Sequence, residues 1–141
     1  VSDLHFGRVH MNAVRPLIES LWRDRPHLTV LSGDFVQNGT REEFAEAREF
    51  LRQLPEPWIA VPGNHDLPFR NAWNRLRVGL RWYREFIAEE IEPFWTDGEV
   101  AVLGVNTARP FPLRGGRINE QQVRAVEARL AALPEGVTRI L

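Results

Sequence analysis

Short apolar runs alternate with amphipathic helical stretches along this chain, and the runs end in small or polar clusters. Nothing else in the sequence constrains the fold as tightly. Strands that take turns with helices form βαβ units with right-handed crossovers, which predicts an α/β fold with parallel strands. The runs are Leu28 to Ser32, Trp58 to Val61 and Val100 to Val105. Val1-Ser2 reads as the tail of a strand and Thr138 to Leu141 as the start of another. Between them, Val14, Leu17, Ile18, Leu21 and Trp22 recur at helical spacing behind Asn12 as N-cap. Thr40 and Glu43 form a capping box ahead of Phe44, Ala47, Leu51 and Leu54. A helical segment is predicted from Ala72 to Ile91, interrupted at Gly79 and stopped before Pro93. Asn119 caps a last helix carrying Val123, Val126, Leu130 and Leu133.

With 141 residues the chain holds one domain, or part of a larger one. A net charge of -1 argues against a nucleic-acid binder that works by global basicity. Nucleic acid therefore stays a possible partner that the charge does not favour. The absence of cysteine removes disulfides, thiolate metal sites and Cys nucleophiles, so any metal must be held by oxygen and imidazole. No run of apolar residues reaches membrane-spanning length and no signal peptide is visible, which predicts a cytoplasmic protein with no membrane partner. The sequence opens without Met and closes in mid-strand. Residues 1–141 are accordingly expected to be the N-terminal part of a single domain whose C-terminal portion is missing.

In open α/β sheets ligands gather beyond the carboxyl ends of the strands. Three clusters fall there: Asp3-Leu4-His5, Gly33-Asp34 and Gly63-Asn64-His65-Asp66. Singly, each has an ordinary explanation as a chance pair or a turn. Together, on parallel strands, they bring Asp3, His5, Asp34, Asn64 and His65 to one edge. Asp3 and His5 offer a carboxylate and an imidazole to one ion, and the two oxygens of Asp34 can bridge two ions. Asn64 adds a neutral amide oxygen, leaving the positive field that attracts phosphate and acidifies a coordinated water. Oxygen and nitrogen ligands without sulfur suit Mn, Fe or Zn. His65 reads as a general acid beside the metals, with the neighbouring Asp66 orienting its ring.

The order Asp3-x-His5, Gly33-Asp34-(x)4-Gly39 and Gly63-Asn64-His65-Asp66 resembles the calcineurin-like metallophosphoesterase superfamily, over the whole chain. It looks most like the bacterial branch with cyclic-nucleotide phosphodiesterase-like proteins. The resemblance implies a four-layer αββα sandwich, of which this chain is a part, and a binuclear site at the C-terminal strand edge that hydrolyses phosphoesters. Carried over, Asp3 and His5 bind the first of two divalent ions, Asp34 bridges, Asn64 binds the second and His65 is catalytic. The expected substrate is a small phosphodiester or monoester. The family's later His-His and Gly-His-x-His ligand segments have no counterpart here, and neither His10 nor His27 replaces them. Two alternatives are a nuclease, which needs a continuous basic track, and an interaction module that kept the fold but not the metals.

Further substrate contacts are expected from Asn38, Asn106 and Arg109, which stand beyond strand ends. Arg114 and Arg117 flank the Gly115-Gly116 turn and are weaker candidates of the same kind. Arg70, Arg77, Arg81 and Arg84 interleave with Trp73, Trp82, Tyr83 and Phe86. Helical amphipathicity explains that pattern as a solvated Arg face with aromatics packed inward.

Overall fold

The computed structural model describes residues 1–68, 72–111 and 116–141, without the side chains of Ala72 and Asn74. Arg70 and Arg114 of the sequence-derived candidates lie outside the described residues. Helix α1 (Met11–Asp24) leads to β1 (Thr29–Ser32), α2 (Arg41–Leu51) and β2 (Trp58–Val61). Then come α3 (Ala72–Val78), α4 (Arg81–Phe86), β3 (Phe94–Thr96), β4 (Val100–Leu103), α5 (Glu120–Ala131) and β5 (Thr138–Ile140). The architecture is α/β, as the alternation predicted.

Strands β1 and β2 pair in parallel, with Thr29 opposite Trp58 and Ser32 opposite Val61. The N-terminal segment runs along the other side of β1: the amide of Ser32 donates to the Val1 carbonyl at 2.9 Å, and that of Asp3 to the Gly33 carbonyl at 3.2 Å. Farther on, Phe6 and Val36 form a parallel bridge. Three parallel segments therefore emit their loops at one edge, the geometry on which the metal reading depends. The second sheet has the order β3-β4-β5, with β3 antiparallel and β5 parallel to β4. Between the sheets lies an apolar groove of about 430 Å³ lined by Val30, Ile59, Val61, Val102 and Ile140 among others.

Helix α2 begins where its capping box requires: the Glu43 amide donates to Thr40 Oγ1 at 3.3 Å and the Thr40 amide to Glu43 Oε2 at 3.2 Å. Its inner face buries Phe44, Ala47, Phe50 and Leu51 against Phe6, Leu31, Phe35 and Val36. On its outer face Arg41 lies 5.2 Å from the Phe86 ring centroid and Arg48 lies 4.7 Å from it, tying α2 to α4.

Four details differ from the sequence reading. Helix α1 is capped at His10, whose carbonyl takes the Ala13 amide at 2.8 Å, so it starts before Asn12. The segment from Ala72 to Ile91 is two short helices, because Gly79 sits at φ +53, a conformation no helix continues through. Strand β3 was not expected at all, and it makes the second sheet mixed instead of all-parallel. Its signal was Asp97-Gly98, a hairpin dipeptide at which the Asp97 carboxylate receives the amides of Glu99 at 2.9 Å and Val100 at 2.8 Å. Finally, the expected inward aromatics hold on α4, where Tyr83 and Phe86 are buried and Arg81 and Arg84 exposed. On α3, Arg77 is exposed as expected, but Trp73 is 71% exposed and Arg75, which was not among the expected residues, is fully buried.

Candidate metal centre

Ligand-type atoms of Asp3, His5 and Asp34 lie within 4.8 Å of one another. His5 Nε2 stands 3.6 Å from Asp3 Oδ1, and His5 Nδ1 is buried without a hydrogen-bond partner among the described residues. A buried polar atom left without a partner is unusual. Two carboxylates and an imidazole at this spacing suit a divalent cation, so the donor set fits the metal that the sequence implied.

The backbone reaches this arrangement through uncommon conformations. Asp3, His5 and Asp34 have φ of 56°, 49° and 55°, in the left-handed region that side-chain-bearing residues seldom occupy. Main-chain hydrogen bonds hold them there. The His5 amide donates to the Asp34 carbonyl at 3.0 Å, and the Asp34 amide donates to Asp66 Oδ2 at 3.1 Å.

Asp34 and Asn64 share a cleft of about 200 Å³ whose far wall is Val105, Thr107, Ala108 and Gly116. One Asp34 oxygen, Oδ1, accepts the His65 amide at 2.9 Å. The His65 ring packs edge-on against His5 with centroids 4.8 Å apart, so it stands beside the cluster. Its Nδ1 meets the Gln37 carbonyl at 2.8 Å. A carbonyl only accepts, so in this pair Nδ1 carries the proton and donates.

Asp66 is placed differently from its sequence role. It is 1% exposed, and its carboxylate accepts the amides of Gly63 at 2.7 Å, Asp34 at 3.1 Å and Val36 at 3.2 Å. It fastens the loop after β2 to the loop after β1, while the Gln37 carbonyl takes the ring of His65. Burial pushes the Asp66 carboxyl up to about 7, against the pull of the Gly63 and Val36 amides.

The three residues expected to contact substrate each have protein partners. Asn38 gives its side-chain amide to Glu43 Oε1 at 2.7 Å. Asn106 is buried, with Oδ1 accepting the Ala108 amide at 3.0 Å. Arg109 donates to the carbonyls of Asn106 at 3.1 Å and Ala108 at 2.9 Å, and to the side chain of Gln122. Sequence reasoning passed over Gln37, whose main-chain carbonyl meets the His65 ring, and Arg75, which donates to the carbonyl of Asn64 at 3.0 Å. Neither bears a motif that would have marked it.

The family profile described as Calcineurin-like phosphoesterase matches residues 1–132. The chain belongs to that family. A "Probable glycerophosphodiester phosphodiesterase GpdQ" of Arcobacter nitrofigilis is 28% identical over 131 residues, covering 90% of this chain and 42% of that protein. The "Glycerophosphodiester phosphodiesterase GpdQ" of Enterobacter lignolyticus is 38% identical over 77 residues, covering 47% of this chain and 28% of that protein. A "Probable cyclic nucleotide phosphodiesterase" of Synechococcus is 30% identical over 79 residues, covering 50% of this chain and 31% of that protein. Among solved structures, phosphopantetheinyl hydrolase of Mycobacterium tuberculosis superposes with a TM-score of 0.50 at 22% identity, over 95% of this chain and 50% of that one. That likeness bears on the fold. The chain thus spans half or less of the length of each of these proteins.

Proposed function

We propose that the protein hydrolyses small phosphodiesters with two divalent ions, Mn, Fe or Zn, and that residues 1–141 are the N-terminal part of its catalytic domain. The observation that carries this is the meeting of Asp3, His5 and Asp34 within 4.8 Å, with Asn64 in the same cleft as Asp34. Asp3 and His5 would hold one ion, Asp34 both and Asn64 the second. When bound, the ions supply charge to neutralise the phosphate and activation of the attacking water. Asn64 binds without adding negative charge, which keeps the cleft attractive to an anion. His65 has its Nδ1 proton committed to the Gln37 carbonyl, so it would act as general acid only with a second proton on Nε2, the nitrogen that would pass it to the leaving oxygen, a contribution of about a hundredfold to ten-thousandfold in rate. Glycerophosphodiester and cyclic-nucleotide relatives favour a small diester.

The test is a substrate panel on the full-length protein: bis-p-nitrophenyl phosphate, a glycerophosphodiester, cyclic nucleotides, a monoester and single-stranded DNA. Diester hydrolysis that stops with chelator and returns with Mn supports the proposal. Preferred cleavage of DNA would replace it with the nuclease reading, and no metal-dependent hydrolysis of any substrate would overturn it.

A further inference from the structure

Among the described residues Arg75 is the largest fully buried side chain, and α3 carries it inward while Trp73 and Leu76 of the same helix stay exposed. Among the described residues it has no carboxylate partner. Its guanidinium is surrounded by main-chain carbonyls instead: Nε donates to Pro110 at 2.9 Å, Nη1 to Leu67 at 3.2 Å and Nη2 to Asn64 at 3.0 Å. Longer contacts at 3.5 Å reach the carbonyls of Pro68 and Arg109. These acceptors belong to the two loops that border the cleft of Asp34 and Asn64. A buried cation without a counter-ion is expensive to keep.

The Asn64 carbonyl and the His65 amide are the two ends of one peptide group. The first accepts from Arg75 at 3.0 Å, and the second donates to Asp34 Oδ1 at 2.9 Å. A planar peptide fixed at both ends cannot rotate, so the directions in which Asn64 and His65 leave the backbone are fixed with it. The guanidinium also polarises that peptide toward Asp34, since hydrogen bonds in a chain strengthen one another. Resting on the metal-centre reading above, we infer that Arg75 is a positioning residue: through the Asn64–His65 peptide it sets the bridging carboxylate of Asp34 and the amide of Asn64 for the second ion. It touches neither substrate nor metal. It acts as an outer partner of the ligands, and the loss of such partners weakens metal affinity by about 10 to 100-fold.

The experiment compares wild type, Arg75→Lys and Arg75→Gln in the full-length protein, titrating Mn by calorimetry and measuring kcat and KM on bis-p-nitrophenyl phosphate. Lysine keeps the charge but loses the planar fork that reaches three carbonyls, so it does not rescue. The expected result is a loss of affinity for one of two ions by about 10 to 100-fold in both variants, with a fall in kcat and KM changed less than about threefold. Wild-type Mn affinity in a folded variant overturns the role of Arg75 and leaves the metal centre standing, whereas a wild type that binds no Mn removes both. If the variants do not fold, the wild type decides by NMR. The Arg75 side-chain and His65 amide resonances should move with one midpoint as Zn is added, and an unmoved Arg75 side chain would refute the link.

Discussion

Gly33 and Gly63 lie back to back where the loops after β1 and β2 meet. A Cβ on Gly33 would fall 2.7 Å from the Gly63 nitrogen, and one on Gly63 would collide with both the Oδ1 and the main-chain nitrogen of Asp34. The loops approach this closely only because neither residue has a side chain. Gly63→Ala should therefore push the Asp34 carboxylate away from Asp3 and His5. Mn titration of the variant should show affinity weakened at least tenfold, while far-UV circular dichroism stays that of the wild type.

Replacing Asp66 by Asn is the sharpest test of its placement. The carboxylate accepts three amides, and an asparagine would turn an NH2 group toward some of them. An N–H left facing a donor in a buried place costs about 1 to 3 kcal/mol. Urea unfolding of Asp66→Asn should show a stability loss of about that size, and with it a loss of metal affinity. A variant of unchanged stability that lost only its pH–rate profile would restore Asp66 to a place beside the His65 ring.

The turn between β3 and β4 gives a pH dependence of known sign. The amides of Val100 and Glu99, in that order, hold the Asp97 carboxyl below its ordinary value. A carboxyl depressed in the folded state adds stability above its unfolded value, and this is lost as pH falls through the folded one. Asp97→Asn keeps an acceptor but removes the charge. Thermal melting should show wild type the more stable above about pH 5, with the difference closing below about pH 4.

Tyr83 is fully buried, and its hydroxyl has no hydrogen-bond partner among the described residues. Burial, aided by the nearby Asp66, pushes its ionisation far above the ordinary phenol range, so the group stays neutral. An unsatisfied hydroxyl in an apolar core works against the fold. Tyr83→Phe should be neutral or stabilising by about 1 kcal/mol in urea unfolding, with the edge-on contact to Phe35 kept.

What the sequence made legible follows from which interactions are local. The capping box at Thr40 and the N-cap at Asn119 were visible because their partners are three residues apart, and both form as read; that Gln122 closes a second box with Asn119 was not read. That Asp3, His5 and Asp34 would meet was legible because they follow parallel strands, and their ligand-type atoms do lie within 4.8 Å of one another, with Asn64 in the same cleft as Asp34. The engagement of Asn38, Asn106 and Arg109 with their own loops and helix ends was not visible, since the same side chains can cap a turn or face a ligand. Arg75 was hidden for another reason. Its binding partners are carbonyl groups, which every residue carries, and its inward phase on α3 contradicts the polarity rule by which helical faces are read.

The three parallel segments that end at Asp3, Asp34 and Asn64 are far apart along the chain, and in an unfolded polymer their side chains would have no common address. An ion captured at the strand edge would then act as a reversible cross-link among separately encoded loops, favouring the native state in proportion to the logarithm of its concentration once above the dissociation constant. The melting temperature of the protein would become a gauge of cation supply.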